Sequence, residues 1–141
     1  MLEKIIFQES IHTFQIDFNH HVSNIVYIQW MEIGRLKLLH KAGLSIEQID
    51  KAGFFIVLAE THIKYKRELF LGETVEVELW LSELNGVYSW FEFLFRKVGG
   101  DIVASAQQKC VFVDTKTKRP KRLMEKGWTL FLPFVKNITN D

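Results

Sequence analysis

The chain has a single cysteine, Cys110, and only two prolines, Pro120 and Pro133, among 141 residues. One cysteine excludes an internal disulfide framework and fits a reducing compartment. With so little proline, no Gly/Ser-rich tract and no repeat at solenoid spacing, the sequence offers no internal linker, and residues 1–141 read as one domain. Charge of one sign is also missing. Eighteen Lys and Arg stand against 17 Asp and Glu, without a basic block of the kind that binds nucleic acid or an anionic membrane. No apolar run approaches the roughly 20 residues of a membrane span, and MLEKIIFQES is too short and too acidic for a signal peptide. The expectation is a cytoplasmic protein with a small-molecule partner, no nucleic acid and no membrane.

What is abundant is apolar bulk. Hydrophobic residues make up 48% of the chain, with 12 Phe and 4 Trp, more large apolar surface than a small monomer normally hides. A pocket and a subunit interface are expected to take the excess.

Lys4 to Ile16 reads as a strand leading into a loop, Asp17 to Ser23. From Asn24 to His40 the residues Ile25, Val26, Ile28, Trp30, Met31, Ile33, Leu36, Leu38 and Leu39 cover more than one helical stripe, which predicts a mostly buried helix. Ser23 or Asn24 can cap it and Gly43 stops it. Ser45 to Lys51 reads as a short second helix. After Gly53 the period becomes two: Val57, Ala59, Thr61, Ile63 and Tyr65 face one way, and Glu60, His62, Lys64 and Lys66 the other. Val75, Val77, Leu79 and Leu81 alternate with Glu76 and Glu78 on the next strand. Asn85-Gly86 and Gly99-Gly100 supply turns, flanking a strand with Phe91, Phe93 and Phe95. Ala104, Ala106, Cys110 and Phe112 line one face of a further strand, where Cys110 reads as packing. After Asp114 a turn at Arg119-Pro120 and a short helix are expected. One strand, a long helix and four strands make an α+β fold, in which a meander of about five antiparallel strands needs cover for its apolar face and the helix supplies it.

Chemistry concentrates in Asp17-Phe18-Asn19-His20-His21-Val22-Ser23-Asn24-Ile25-Val26-Tyr27, where a carboxylate immediately precedes an apolar helix. A helix N-terminus offers unpaired N–H donors and the positive end of the dipole, suited to polarising a carbonyl and holding an oxyanion. Asp17, His21, Val22, Asn24 and Tyr27, followed by Glu32 and Arg35 on the helix and by Tyr65, Gly72 and Glu73, resemble the pattern of the 4-hydroxybenzoyl-CoA thioesterase family of hot-dog proteins. The resemblance covers roughly residues 5 to 114. The chain departs from it at Gln15, often acidic in the family, at His20 for a common Gly, at Ser23 for an Asn, and at Glu68 for a frequent Pro.

The resemblance implies a hot-dog fold, a long central helix wrapped by a curved sheet. It also implies a homodimer or homotetramer with two active sites at a subunit interface, an acyl-CoA substrate carrying an aryl or fatty acyl group, and no cofactor. By it Asp17 is the catalytic residue, either nucleophile toward the thioester or general base for water. The backbone N–H groups of Asn24 and Ile25 become the oxyanion donors. An isolated loop aspartate more often caps the following turn, and it is the surrounding match that turns the reading to catalysis.

His21 reads either as a support that orients substrate or water, or as a structural hydrogen-bond partner. Tyr27 is a candidate substrate contact that reads mainly as packing with a polar tip. Thr61, Lys64, Lys66 and Arg67 are candidate substrate-binding residues, the cations for the CoA phosphates. Lys64, Lys66 and Arg67, like Lys116, Lys118 and Arg119, also read as a solvated edge. Glu32 and Arg35, three apart, are expected to pair as ions, with Glu32 facing a neighbouring subunit's pocket as the alternative. His12, Asp17, His20 and His21 lack metal-ligand spacing, so no metal is expected. A hot-dog enoyl hydratase and a non-catalytic binder of acyl-CoA or acyl-carrier protein remain alternative readings.

Overall fold

The computed structural model describes residues 2–123 and 125–138. Strand β1 (Ile5–Ser10) leads through a 3-10 turn (Thr13–Gln15) to helices α1 (Asn24–Lys41) and α2 (Ile46–Ala52). Strands β2 (Phe54–Tyr65), β3 (Thr74–Leu84), β4 (Tyr88–Lys97) and β5 (Ile102–Asp114) follow, then helix α3 (Glu125–Phe131), a 3-10 turn (Leu132–Phe134) and strand β6 (Val135–Ile138). The strands form one sheet in the order β1-β3-β4-β5-β2, antiparallel throughout, except that β6 pairs with β3 in parallel. This is the hot-dog arrangement.

The alternation of β3 and β4 sends Val75, Val77, Leu79 and Leu81, with Phe91, Phe93 and Phe95, to the concave face, where all are buried. The three phenylalanine rings stack along β4 at 6.4 Å spacing. Against them lies the buried side of α1, formed by Val26, Tyr27, Trp30, Met31, Gly34 and Leu38. The helix comes closest at Gly34, where an added Cβ would stand 3.1 Å from Leu79 and 3.3 Å from Phe7. Even an alanine there would require the Leu79 and Phe7 side chains to give way by a few tenths of an ångström.

Bulges shape the sheet. Ala59 has no partner between the pairs Leu58–Cys110 and Glu60–Lys109. Ser82 likewise stands between Leu81–Phe91 and Glu83–Trp90. Trp90 is itself paired with Lys109, so the two extra residues sit at nearly the same level and crease the sheet across its width. The Ala59 bulge also corrects the expected alternation of β2. Thr61, Ile63 and Tyr65 do face inward opposite Gln108, Ala106 and Ala104, but beyond the bulge it is Leu58 and Ile56 that oppose Cys110 and Phe112, while Val57 pairs with the outward Val111. One extra residue reverses the phase.

Other boundaries differ as well. β1 ends at Ser10, well before Ile16, because the His12 N–H turns to the Gln15 side chain (2.8 Å) and closes a 3-10 turn. Ser23 holds the N-cap position of α1, yet neither its side chain nor that of Asn24, already helical, caps the helix. Ser45 caps α2, accepting from the Gln48 N–H while the Gln48 side chain accepts from Ser45. The turn expected at Arg119-Pro120 lies earlier, at Asp114, whose carboxylate accepts the N–H groups of Lys116 and Thr117; Pro120 bridges back to Val113. Among the described residues no helix is long and apolar enough to cross a membrane.

Candidate active site

The loop before α1 is folded back on itself. Ile16 bridges Val22, the Ser23 N–H bonds the Gln15 carbonyl (2.9 Å), and the Asp17 N–H bonds the His21 carbonyl (3.0 Å). His20 closes the loop with a φ of 69°, the left-handed conformation for which glycine is best suited. The Val22 N–H reaches the Leu69 carbonyl (2.8 Å), which ties the loop to the segment following β2.

Asp17 is therefore held at the entrance of α1, with its side chain 28% exposed. One oxygen accepts the Asn19 N–H (2.9 Å), the turn-capping contact that the loop reading anticipates. The other stands 3.9 Å from His21 Nδ1. At the helix start the Val26 N–H is bonded to the Ser23 carbonyl (3.0 Å). No acceptor among the described residues is bonded to the N–H groups of Asn24 and Ile25, and both residues are exposed. Two donors at the positive end of an 18-residue helix thus remain free to meet a carbonyl oxygen.

Beside them opens a cleft of about 180 Å³ lined by His21, Val22, Asn24, Tyr27, Tyr65, Lys66, Arg67 and Glu68. It brings together His21, Asn24, Tyr27, Lys66 and Arg67 from the sequence-derived candidates. Asp17 adjoins it through His21. Thr61 lies further along β2, and Lys64, opposite Ser105 on the convex side, is exposed away from it, because alternate residues of a strand point to opposite faces. Arg67 is 3.6 Å from Asp101 in an exposed ion pair, which in such a setting contributes little.

Tyr27 is almost wholly enclosed at 2% exposure. Its ring meets Trp30, Tyr65 and Phe95 edge-on at 5.1 to 5.3 Å. Burial, with the neighbouring Tyr65 and Glu68 adding to it, holds its phenol well above the ordinary tyrosine value; burial also raises Tyr65. Both hydroxyls stay neutral near pH 7 and keep their O–H protons. Among the described residues no cluster of three His, Cys, Asp or Glu side chains is placed to hold a metal.

Two features went unread in the sequence. Glu32 is exposed and makes no ion pair with Arg35 among the described residues. Arg35 reaches across to the side-chain oxygen of Gln108 instead, and the Gln108 amide donates to Thr61 Oγ (3.1 Å). Gln108 is fully buried. Its signal was a polar residue at an inward position of β5, between Ala106 and Cys110.

With this geometry established, comparison with known proteins is direct. The family model of the thioesterase-like superfamily matches residues 11–128. The chain belongs to this superfamily. A curated relative, the putative acyl-CoA thioesterase YneP of Bacillus subtilis, is 28% identical over 94 residues, covering 67% of this chain and 68% of its own. Among solved structures, the hypothetical protein SAV2348 of Staphylococcus aureus, determined in complex with CoA, superposes with a TM-score of 0.89 at 18% identity, covering 100% of this chain and 90% of its own. A DHNA-CoA thioesterase from the same organism does so with 0.81 at 20% identity, covering 89% and 86%. These two structural likenesses establish the fold.

Proposed function

We propose that this member of the thioesterase-like superfamily hydrolyses acyl-CoA thioesters to free acid and CoA, with Asp17 as the catalytic residue. The observation that carries the reading is the loop fold, which holds the Asp17 carboxylate at a helix entrance whose Asn24 and Ile25 N–H groups have no acceptor among the described residues. The thioester oxygen docks on those two donors. As general base, Asp17 takes a proton from water while the water oxygen attacks the carbonyl carbon; the oxyanion then collapses and expels the CoA thiolate, which is protonated to the thiol. As nucleophile, Asp17 attacks the carbonyl carbon and the C–S bond breaks to release the CoA thiolate, leaving a mixed acyl anhydride that water cleaves in a second step to the free acid and the restored carboxylate. The amides serve both routes alike. His21 supports the carboxylate, Tyr27 and Tyr65 wall the cleft, and Lys66 and Arg67 supply cations at its rim for the CoA phosphates.

The open edge of β2 suggests how the site is completed. Among the described residues the strand pairs only with β5, and its far side, with Leu58 and Tyr65 partly exposed on the inner face, is available to meet a second copy by edge pairing. A homodimer or homotetramer of that kind fits the resemblance to the 4-hydroxybenzoyl-CoA thioesterases.

The test is thiol release from a panel of aryl and aliphatic acyl-CoAs by the wild type and by Asp17→Asn. Loss of about 100-fold or more in kcat by a folded mutant supports the proposal. Undiminished turnover in Asp17→Asn would remove Asp17 from the mechanism. If neither protein releases thiol from any acyl-CoA, the fold serves binding alone.

A further inference from the structure

The concave face is not covered evenly. Along α1, Ile28 and Arg35 are two turns apart and share one stripe, on the flank toward β5 and β2. Ile28 remains 43% exposed. Opposite it the inner side of β2 presents Tyr65, 45% exposed, and the half-buried Ile63. These residues form an apolar gutter that begins at the cleft, where Tyr65 meets Tyr27, and runs along the helix away from Asp17.

The gutter is interrupted by a polar crossbar. Arg35 from the helix, Gln108 from β5 and Thr61 from β2 are joined side chain to side chain. Gln108 is fully buried, and both ends of its amide are used. Arg35 has no carboxylate partner among the described residues. A half-buried guanidinium held by one neutral amide retains water on its remaining donors, since it carries five in all.

We propose that this crossbar is a chain-length ruler for the acyl group, with Arg35 its specificity-determining residue. The proposal rests on the acyl-CoA reading above. Eleven residues separate Asn24 from Arg35, about 16 Å along the helix axis. Tyr65 and Thr61 are four residues apart, about 13 Å along the strand. An extended chain built of bonds of about 1.5 Å advances roughly 1.3 Å per carbon, so a thioester seated at the helix entrance reaches the crossbar after about ten to twelve carbons. Up to that length each methylene laid on the apolar gutter tightens binding about fourfold. Further methylenes would have to strip water from the guanidinium with nothing polar to replace it, so binding weakens beyond that length. The substrate class is thus straight acyl thioesters of medium length.

The experiment measures kcat/KM for saturated acyl-CoAs from four to eighteen carbons with the wild type, Arg35→Met, Arg35→Lys and Thr61→Val. The wild-type profile should rise to about ten to twelve carbons and drop at least tenfold by sixteen. Arg35→Met should raise the sixteen-to-ten ratio at least tenfold, Thr61→Val should raise it less, and Arg35→Lys, which keeps the cation, should leave the break where it is. Binding of the same series to Asp17→Asn, with and without Arg35→Met, reads the break without turnover. If no acyl-CoA is hydrolysed but the binding break moves with Arg35→Met, the ruler stands and hydrolysis falls. If Arg35→Met leaves the length profile unchanged in both turnover and binding, or if the wild type shows no break, the ruler is wrong.

Discussion

Tyr27 offers a clean separation of packing from chemistry. Replacing it with Phe keeps the ring against Trp30, Tyr65 and Phe95 and removes only the hydroxyl, so the stability cost should stay below about 1 kcal/mol. Replacing it with Ala deletes a side chain 2% exposed. Truncating a large buried aromatic costs about 3 to 5 kcal/mol, and the loss of three edge-on partners, each about 0.5 to 1.5 kcal/mol, places Tyr27→Ala at the upper end of that range. Against a typical total of about 5 to 15 kcal/mol, such a loss shows plainly as a fall in the urea midpoint at unchanged slope. In turnover, Tyr27→Phe should stay within about threefold of the wild type, because the oxyanion donors are backbone groups and losing a true donor would cost about 100-fold. Its pH profile should superimpose on the wild type from pH 6 to 9, since the raised Tyr27 phenol does not ionise there. A Tyr27→Ala protein destabilised by less than about 1.5 kcal/mol would refute the packing argument; a Tyr27→Phe protein crippled 100-fold would move Tyr27 into the chemistry.

The two helix starts give opposite forecasts. Ser45→Ala removes a side chain that accepts the Gln48 N–H and should lower stability by about 1 kcal/mol in urea denaturation, whereas Ser23→Ala, which removes no cap, should cost no more than about 0.3 kcal/mol; equal losses would contradict the capping geometry. Burial pushes the Cys110 thiol up to about 11, with Arg35 pulling partly against it. A disulfide reagent at pH 8 should therefore modify the native protein at least about 100-fold more slowly than the urea-unfolded one, roughly the change in thiolate fraction for two pKa units, and comparable rates would show that Cys110 is not enclosed.

Much of this architecture can be read before any coordinates are known, and the failures have physical causes. Helix α1 was legible because its apolar residues exceed one stripe, β3 because charged and apolar residues alternate without exception from Val75 to Leu79, and β4 because Phe91, Phe93 and Phe95 recur at every second position. The inner phase of β2 misled beyond Thr61. Ala59 is small and uncharged, so nothing in its side chain marks it as an extra residue. β6 was missed because four residues, Val135–Ile138, become a strand only through pairing with the distant Leu81–Leu84. Helical spacing alone predicted a Glu32–Arg35 pair, since three-apart residues are neighbours on a helix. The helix instead lies where Arg35 can reach Gln108, a tertiary contact that no local rule contains. In the site region, the crowding of Asp17, His21 and Asn24 before the helix was visible from residue order. The cleft's Tyr65 and Glu68 wall, and the freedom of the Asn24 and Ile25 amides, depend on the Ile16–Val22 bridge and the Val22–Leu69 bond.

The crease through Ala59 and Ser82 divides the sheet into two panels. The lower panel carries Tyr65, Ala104, Phe95 and Val75, and with them the cleft. The upper carries Phe54, Phe112 and Leu84, where Phe131 of the C-terminal segment packs on Phe112 at 6.3 Å. The sheet behaves as a folded card, creased by two single-residue insertions on strands separated by two others. Deleting either Ala59 or Ser82 alone would leave one bulge without its counterpart and skew the fold line, so the two positions should be gained or lost together.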